Sequence, residues 1–166
     1  MSKFIVTGDW HFKGVNPKAR LDDFQQALTR KIYEVYSLAK QHNAEGIIVP
    51  GDLLDSPGTS LGTIADFGRL LQLAPCPIIS IHGNHDIWAG NAGSKYRTPY
   101  GLLSKLGHLW DLEAEYFETG DKQSFDICIS GHGFNTETDT ANGTHQFSPP
   151  FRPEWKGISI HVVHSM

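Results

Sequence analysis

The chain has 166 residues, enough for one domain with a sizeable core, and a formal net charge of −4. That balance excludes a basic scaffold for nucleic acid but not a metal enzyme, whose ions bring their own positive charge. Two cysteines, Cys76 and Cys128, exclude a disulfide framework and match no zinc spacing. With no signal-like leader and no membrane-length apolar run, the expectation is a soluble, cytoplasmic protein without membrane contact.

Phe4-Ile5-Val6-Thr7 is a short β-rich run that stops at Gly8 and leads into Asp9-Trp10-His11. At an extended strand end, residues i and i+2 point the same way, so Asp9 and His11 can reach one point, as two ligands of one ion would. The alternative is a turn-capping Asp beside a surface His. The loop from Phe12 to Arg20 carries Lys13, Lys18 and Arg20, which suit phosphate contact or are simply solvated. A helix is predicted over about Leu21 to Gln41. Asp22 and Asp23 fall in its first turn, and Phe24, Leu28, Ile32, Val35 and Ala39 form its buried stripe. It ends at His42-Asn43, before a strand at Gly46, which completes a β-α-β unit.

The next strand is the apolar run Ile47-Ile48-Val49, ending in Pro50-Gly51-Asp52-Leu53-Leu54-Asp55. A buried parallel strand reads as such a run, and ligands of open α/β sheets sit beyond its carboxyl end. Gly51 lets the backbone turn and Asp52 project into that crevice. A second helix is predicted from Leu61 to Leu73, with Ile64, Phe67 and Leu71 inward, and it is terminated by Pro75 and Pro77. Ile78-Ile79-Ser80-Ile81 then delivers His82-Gly83-Asn84-His85-Asp86, with His82 read as packing. The loop from Ile87 to Pro99 carries Trp88, Lys95, Tyr96 and Arg97. This mixture suits base stacking and phosphate contact, or an ordinary exposed loop. Tyr100 to Leu106 reads as a short helix. Tyr116-Phe117-Glu118 and Phe125 to Ile129 read as strands, the latter leading to His132 as a turn residue. Asn135 to Gly157, with Phe147, Phe151 and Trp155, is expected to lack regular structure. The last strand, Ile158 to Val163, carries His161 as a packed or surface histidine and ends at His164.

Asp9, His11, Asp52, Asn84 and His164 thus collect at strand ends, with His85 and Asp86 beside them. Mixed carboxylate, carboxamide and imidazole ligation suits manganese, iron or zinc rather than a closed structural zinc site. Asp52, central in the sheet, is the natural bridge between two ions, and such pairs clamp a phosphoryl group and activate water. His85 can face the substrate and protonate a leaving oxygen or stabilise phosphoryl charge. Asp86 is expected to orient His85 by accepting its other ring proton. Lys13, Arg20, Lys95 and Arg97 are candidate substrate contacts.

Asp9-x-His11, Gly51-Asp52-x-x-Asp55, Gly83-Asn84-His85-Asp86 and the strand-end His164 resemble the ordered motifs of the calcineurin-like metallophosphoesterases. The resemblance covers essentially the whole chain. It is greatest to the nuclease subunit of bacterial SbcCD, on the basic loop and long helix after Asp9-Trp10-His11 and on the form Gly51-Asp52-Leu53-Leu54-Asp55-Ser56. The resemblance implies a layered α/β fold, a β-sheet core flanked by helices. It also implies two metal ions, usually manganese, bridged by Asp52. Asp9 and His11 would hold the first ion, Asn84 and His164 the second, and His85 would be the catalytic histidine. It further implies DNA as substrate and an SbcC-like ATPase as partner. The family's later Gly-His-x-His has no counterpart here, so the chain is expected to be an N-terminal portion, residues 1–166, lacking that C-terminal segment. Self-association, or a partner chain carrying the segment, is expected in consequence. The competing functions are a phosphatase or phosphodiesterase on small or protein substrates, and an inactive fragment that needs a partner chain.

Overall fold

The apolar runs of the first half of the chain pair side by side. In the computed structural model, which describes residues 2–121, 124–136 and 157–164, they form a four-stranded sheet in the order β1-β2-β3-β4. The strands are β1 (Phe4–Val6), β2 (Gly46–Val49), β3 (Ile78–Ser80) and β4 (Trp110–Asp111). All neighbours are parallel, with Ile5 opposite Ile47, Ile47 opposite Ile78 and Ile79 opposite Trp110. The carboxyl ends of β1, β2 and β3 therefore lie together, which is what a shared site requires.

The crossovers are helices α1 (Phe24–His42) and α2 (Leu61–Gln72), followed by the short α3 (Pro99–Lys105). Asp23 caps α1, its carboxylate accepting the Gln26 amide at 2.9 Å, so it stands just before the first turn rather than in it. Asn43 closes α1 in the left-handed conformation, φ 51°, a geometry asparagine tolerates. Ser60 caps α2 in the same manner as Asp23 caps α1. Within the loop expected from Ile87 to Pro99, Trp88–Gly90 and Ala92–Arg97 form short 3-10 helices, and another covers Asn84–Asp86 just before it.

β2 is buried on both faces because the sheet is covered on both. On one side Ile47 and Val49 pack with Ile32, Tyr36 and Ala39 of α1, Phe67 and Leu71 of α2, and Leu103 of α3. On the other, Ile48, Ile79 and Ile81 meet Ile129 and Val162 of a second sheet. That sheet has the order β5-β6-β7, from Phe117–Asp121, Ser124–His132 and Ile158–Val163. β5 and β6 are antiparallel, whereas β6 and β7 are parallel. The result is the layered α/β architecture expected from the sequence. Cys128 is buried in β6 and His132 ends that strand instead of sitting in a turn. Of the polar stretch 135–157, all but its ends lies outside the described residues. Among the described residues no helix is long and apolar enough to cross a membrane.

Phe67 links this core to the β1 loop. Its ring stacks on Phe12 at 4.7 Å and meets Trp10 edge-on at 6.1 Å. Both partners are buried, so the alternate residues Asp9 and His11 are left facing outward. Phe67→Ala is expected to cost about 3–5 kcal/mol in urea unfolding. Leu61→Ala, at a position that is 81% exposed, is expected to change stability by less than about 0.5 kcal/mol. A similar loss for both would show that the core does not centre on Phe67.

Candidate metal centre

The segment after β1 does not continue as an extended strand. The amides of Trp10 and His11 both donate to the Asp52 carbonyl, at 3.1 and 2.9 Å, and the Phe12 amide donates to Leu53 O at 2.9 Å. His11 takes φ 44° to do so. The alternation expected of the segment survives: Trp10 and Phe12 turn in, while Asp9 Oδ2 lies 4.0 Å from His11 Nε2.

After β2 the chain turns through Gly51 (φ 106°) and Asp52 (φ 49°). A Cβ on Gly51 would meet the Gly83 backbone and His164 Nδ1, and one on Gly83 would collide with Asp52. Glycine at both places lets the loops after β2 and β3 approach backbone to backbone. Asp52 is thereby buried to 3% exposure. Its Oδ1 accepts the His85 amide at 2.9 Å. Its Oδ2 lies 3.6 Å from His11 Nε2 and 3.8 Å from His164 Nε2, too far for hydrogen bonds.

His164 and His85 each set Nδ1 against a backbone carbonyl, Pro50 O at 2.7 Å and Asp55 O at 2.9 Å. A ring nitrogen facing a carbonyl carries the proton, which leaves Nε2 with its lone pair. For His164 that lone pair points at Asn84 Oδ1, 3.0 Å away. An imidazole nitrogen and a carboxamide oxygen thus converge on one point, as two ligands of one cation would. One ligand atom each from His11, Asp52 and His85 also lie within 4.8 Å of one another. The donor set is oxygen and imidazole nitrogen without thiolate, which fits a hard or borderline divalent ion.

A model of the calcineurin-like phosphoesterase family matches residues 2–159. The chain belongs to that family. No curated protein matches it. Membership supports metal-dependent phosphoester hydrolysis. In this phosphoesterase the matched residues take in Asp9, His11, Asp52, Asn84 and His85, and His164 lies just beyond them.

Two expectations need correction. Asp86 does not orient His85: its carboxylate accepts the amides of Gly83 at 2.9 Å, Leu54 at 3.1 Å and Leu53 at 3.3 Å. It therefore staples the loop after β3 to the loop after β2. Burial pushes its carboxyl up to about 6, against the pull of the Gly83 and Leu54 amides. The backbone carbonyl of Asp55 takes the place at His85 Nδ1. Lys95 is not a surface cation but is 5% exposed, its ammonium donating to Asp111 Oδ2 at 2.8 Å and Glu113 Oε2 at 2.9 Å. A cation so enclosed cannot reach a substrate. The remaining cations stay accessible: Lys13 pairs with Asp55 at 3.0 Å, Arg20 with Asp22 at 2.6 Å, and Arg97 is exposed.

Glu113 and Asp111 are not among the sequence candidates, although Asp111, with Glu113 two residues on, follows the apolar pair Leu109-Trp110 as polar ligand-type residues follow the other strands. Burial alone would raise the Glu113 carboxyl, but His82 and then Lys95 outweigh it and hold it at about 2, below its ordinary 4.5. A carboxyl lowered on folding contributes stability above its unfolded value and loses it as pH falls toward the folded value. Glu113→Gln should therefore flatten the acid-induced loss of stability between pH 4.5 and about 2. Urea midpoints for both proteins across that window check this, and parallel curves would refute it.

Proposed function

We propose that this phosphoesterase hydrolyses phosphodiester bonds of DNA, using two divalent ions, manganese foremost, that share Asp52. The observation that carries the reading is the placement of Oδ2 of this buried carboxylate between the imidazole nitrogens of His11 and His164. One ion would be held by Asp9, His11 and Asp52, the other by Asp52, Asn84 and His164. When bound, the ions supply Lewis-acid activation of water and of the phosphoryl group.

The chain's own residues do the rest. Asp52, fixed by the His85 amide, keeps the two ligand sets in register. His85 is exposed, stands edge-on to His11 with ring centroids 4.7 Å apart, and is steadied at Nδ1 by Asp55. With Nδ1 on Asp55 O, Nε2 faces outward; in the imidazolium form it can hydrogen-bond the phosphoryl oxygens and pass its proton to the leaving oxygen.

DNA is favoured over small esters by what adjoins His85. Asp55, which holds the His85 ring, also binds Lys13, whose ammonium lies over the Phe24 ring at 5.5 Å; Arg20 lies over the same ring at 4.8 Å. Arg20 and Phe24 also line a groove with Arg30, Lys31 and Glu34, in which three cations outnumber the one carboxylate, the partner of Lys31. Cations interleaved with an aromatic ring, joined to His85 through Lys13 and Asp55, suit a polymeric phosphate backbone. The likeness of the motifs to the SbcCD nuclease subunit points the same way.

Linear duplex and single-stranded DNA should be degraded in manganese and spared in chelator. Asp52→Asn should lower the rate by at least about 10³-fold, the order expected when a preorganised charge at the reacting centre is lost. Rapid cleavage of an aryl phosphate monoester with DNA left intact would replace the nuclease reading with a phosphatase. Equal DNA degradation by wild type and Asp52→Asn would remove the site itself.

A further inference from the structure

Asn84 and His164 are 80 residues apart in the chain yet meet at 3.0 Å, so something must hold the segments that carry them at a fixed separation. The loop after β3 carries His82, whose side chain is 2% exposed. His164 follows β7, and its amide donates to His132 O at the end of β6. The neighbouring Phe134 ring meets His164 edge-on at 6.3 Å. These two supports, His82 and residues 132–134, are themselves paired. The Phe134 amide donates to His82 O, and His82 Nε2 lies 3.0 Å from Phe134 O. A Cβ on Gly133 would strike the His82 ring, so the strand passes flush against it.

One carboxylate touches both supports. Glu113 stands two residues after the end of β4. Its Oε1 accepts the Gly133 amide at 2.9 Å, while Oε2 lies 2.7 Å from His82 Nδ1 and 2.9 Å from Lys95 Nζ. Lys95 is in turn shared with Asp111, which anchors the arrangement in the first sheet. We propose that Glu113 is a positioning residue that sets the separation of Asn84 and His164, and through it the affinity for the ion on that side of Asp52. This rests on the two-ion reading of the site. A glutamine keeps an oxygen for Gly133 but brings amide hydrogens toward the Lys95 ammonium, so it cannot hold both supports as the carboxylate does. Lys95 retains Asp111 as its counterion and His82 retains the Phe134 carbonyl at Nε2, so the chain should still fold, which the unfolding measurement checks.

The test is a manganese titration of the full chain, followed by electron paramagnetic resonance of free ion, for wild type, Glu113→Gln, Asn84→Ala, their double variant and Asp52→Asn. Thermal unfolding of the metal-free proteins is recorded alongside. Glu113→Gln is expected to weaken one of two ions by about tenfold, the lower end of what loss of an outer supporting contact costs, and to leave the other unchanged. In the double variant the two losses should not add, because both act on the same ion. Unchanged binding in Glu113→Gln, beside a clear loss in Asp52→Asn, would overturn the positioning role alone. So would equal weakening of both ions together with a lowered unfolding temperature, the mark of a purely structural residue. Unchanged binding in Asp52→Asn would overturn the two-ion reading and this role with it.

Discussion

Burying a carboxylate costs several kcal/mol unless hydrogen bonds or charge replace the lost water, and Asp52 is the residue around which that cost is met. Its Oδ1 takes the His85 amide, its carbonyl takes the amides of Trp10 and His11, and Pro50, two residues earlier, takes His164 Nδ1. Each of the other ligand-bearing loops is thus fastened to the chain within two residues of Asp52. The parallel register of β1, β2 and β3 brings the loops near one another. The hydrogen bonds at Asp52 convert nearness into a defined geometry, and the close passage of Gly51 and Gly83 allows it sterically.

Most cations near the site already have a carboxylate partner, at the surface or, for Lys95, in the interior. Lys13 is matched to Asp55, Arg20 to Asp22, and Lys95 to Asp111 and Glu113. Ligand carboxylates are left to dominate the field where the loops converge. Such a site attracts cations before it attracts phosphate, and its affinity for an anionic substrate arises once cations are in place.

The strands, the crossover helices and the positions of Asp9, His11, Asp52, Asn84 and His164 were legible because they rest on two short-range signals. One is apolar periodicity; the other is the abrupt change from apolar to ligand-type residues where a strand ends. What escaped were the properties decided by burial. Asp86 next to His85 looks in sequence like an acid that orients an imidazole, and only its enclosure by three backbone amides shows it tying two loops together. Lys95, amid Gly, Asn and Tyr, looks like a loop cation, but its partners Asp111 and Glu113 lie on the far side of α3, a distance no local pattern spans. The strand at Trp110–Asp111 is too short for its own periodicity, and it is a strand only because β3 offers it an edge.

His11 and Asp52 both hold the left-handed conformation, at φ 44° and 49°. For a residue with a side chain this carries a backbone strain of roughly 1 kcal/mol or more. Glycine would occupy either position without it. The chain therefore keeps strained side chains where an unstrained residue was available, and part of what it forgoes in stability returns through the Asp52 bond to the His85 amide, the rest through what those side chains bind. Seen as a trade between robustness and function, the loops around Asp52 are where this protein could most readily be made sturdier by being made useless.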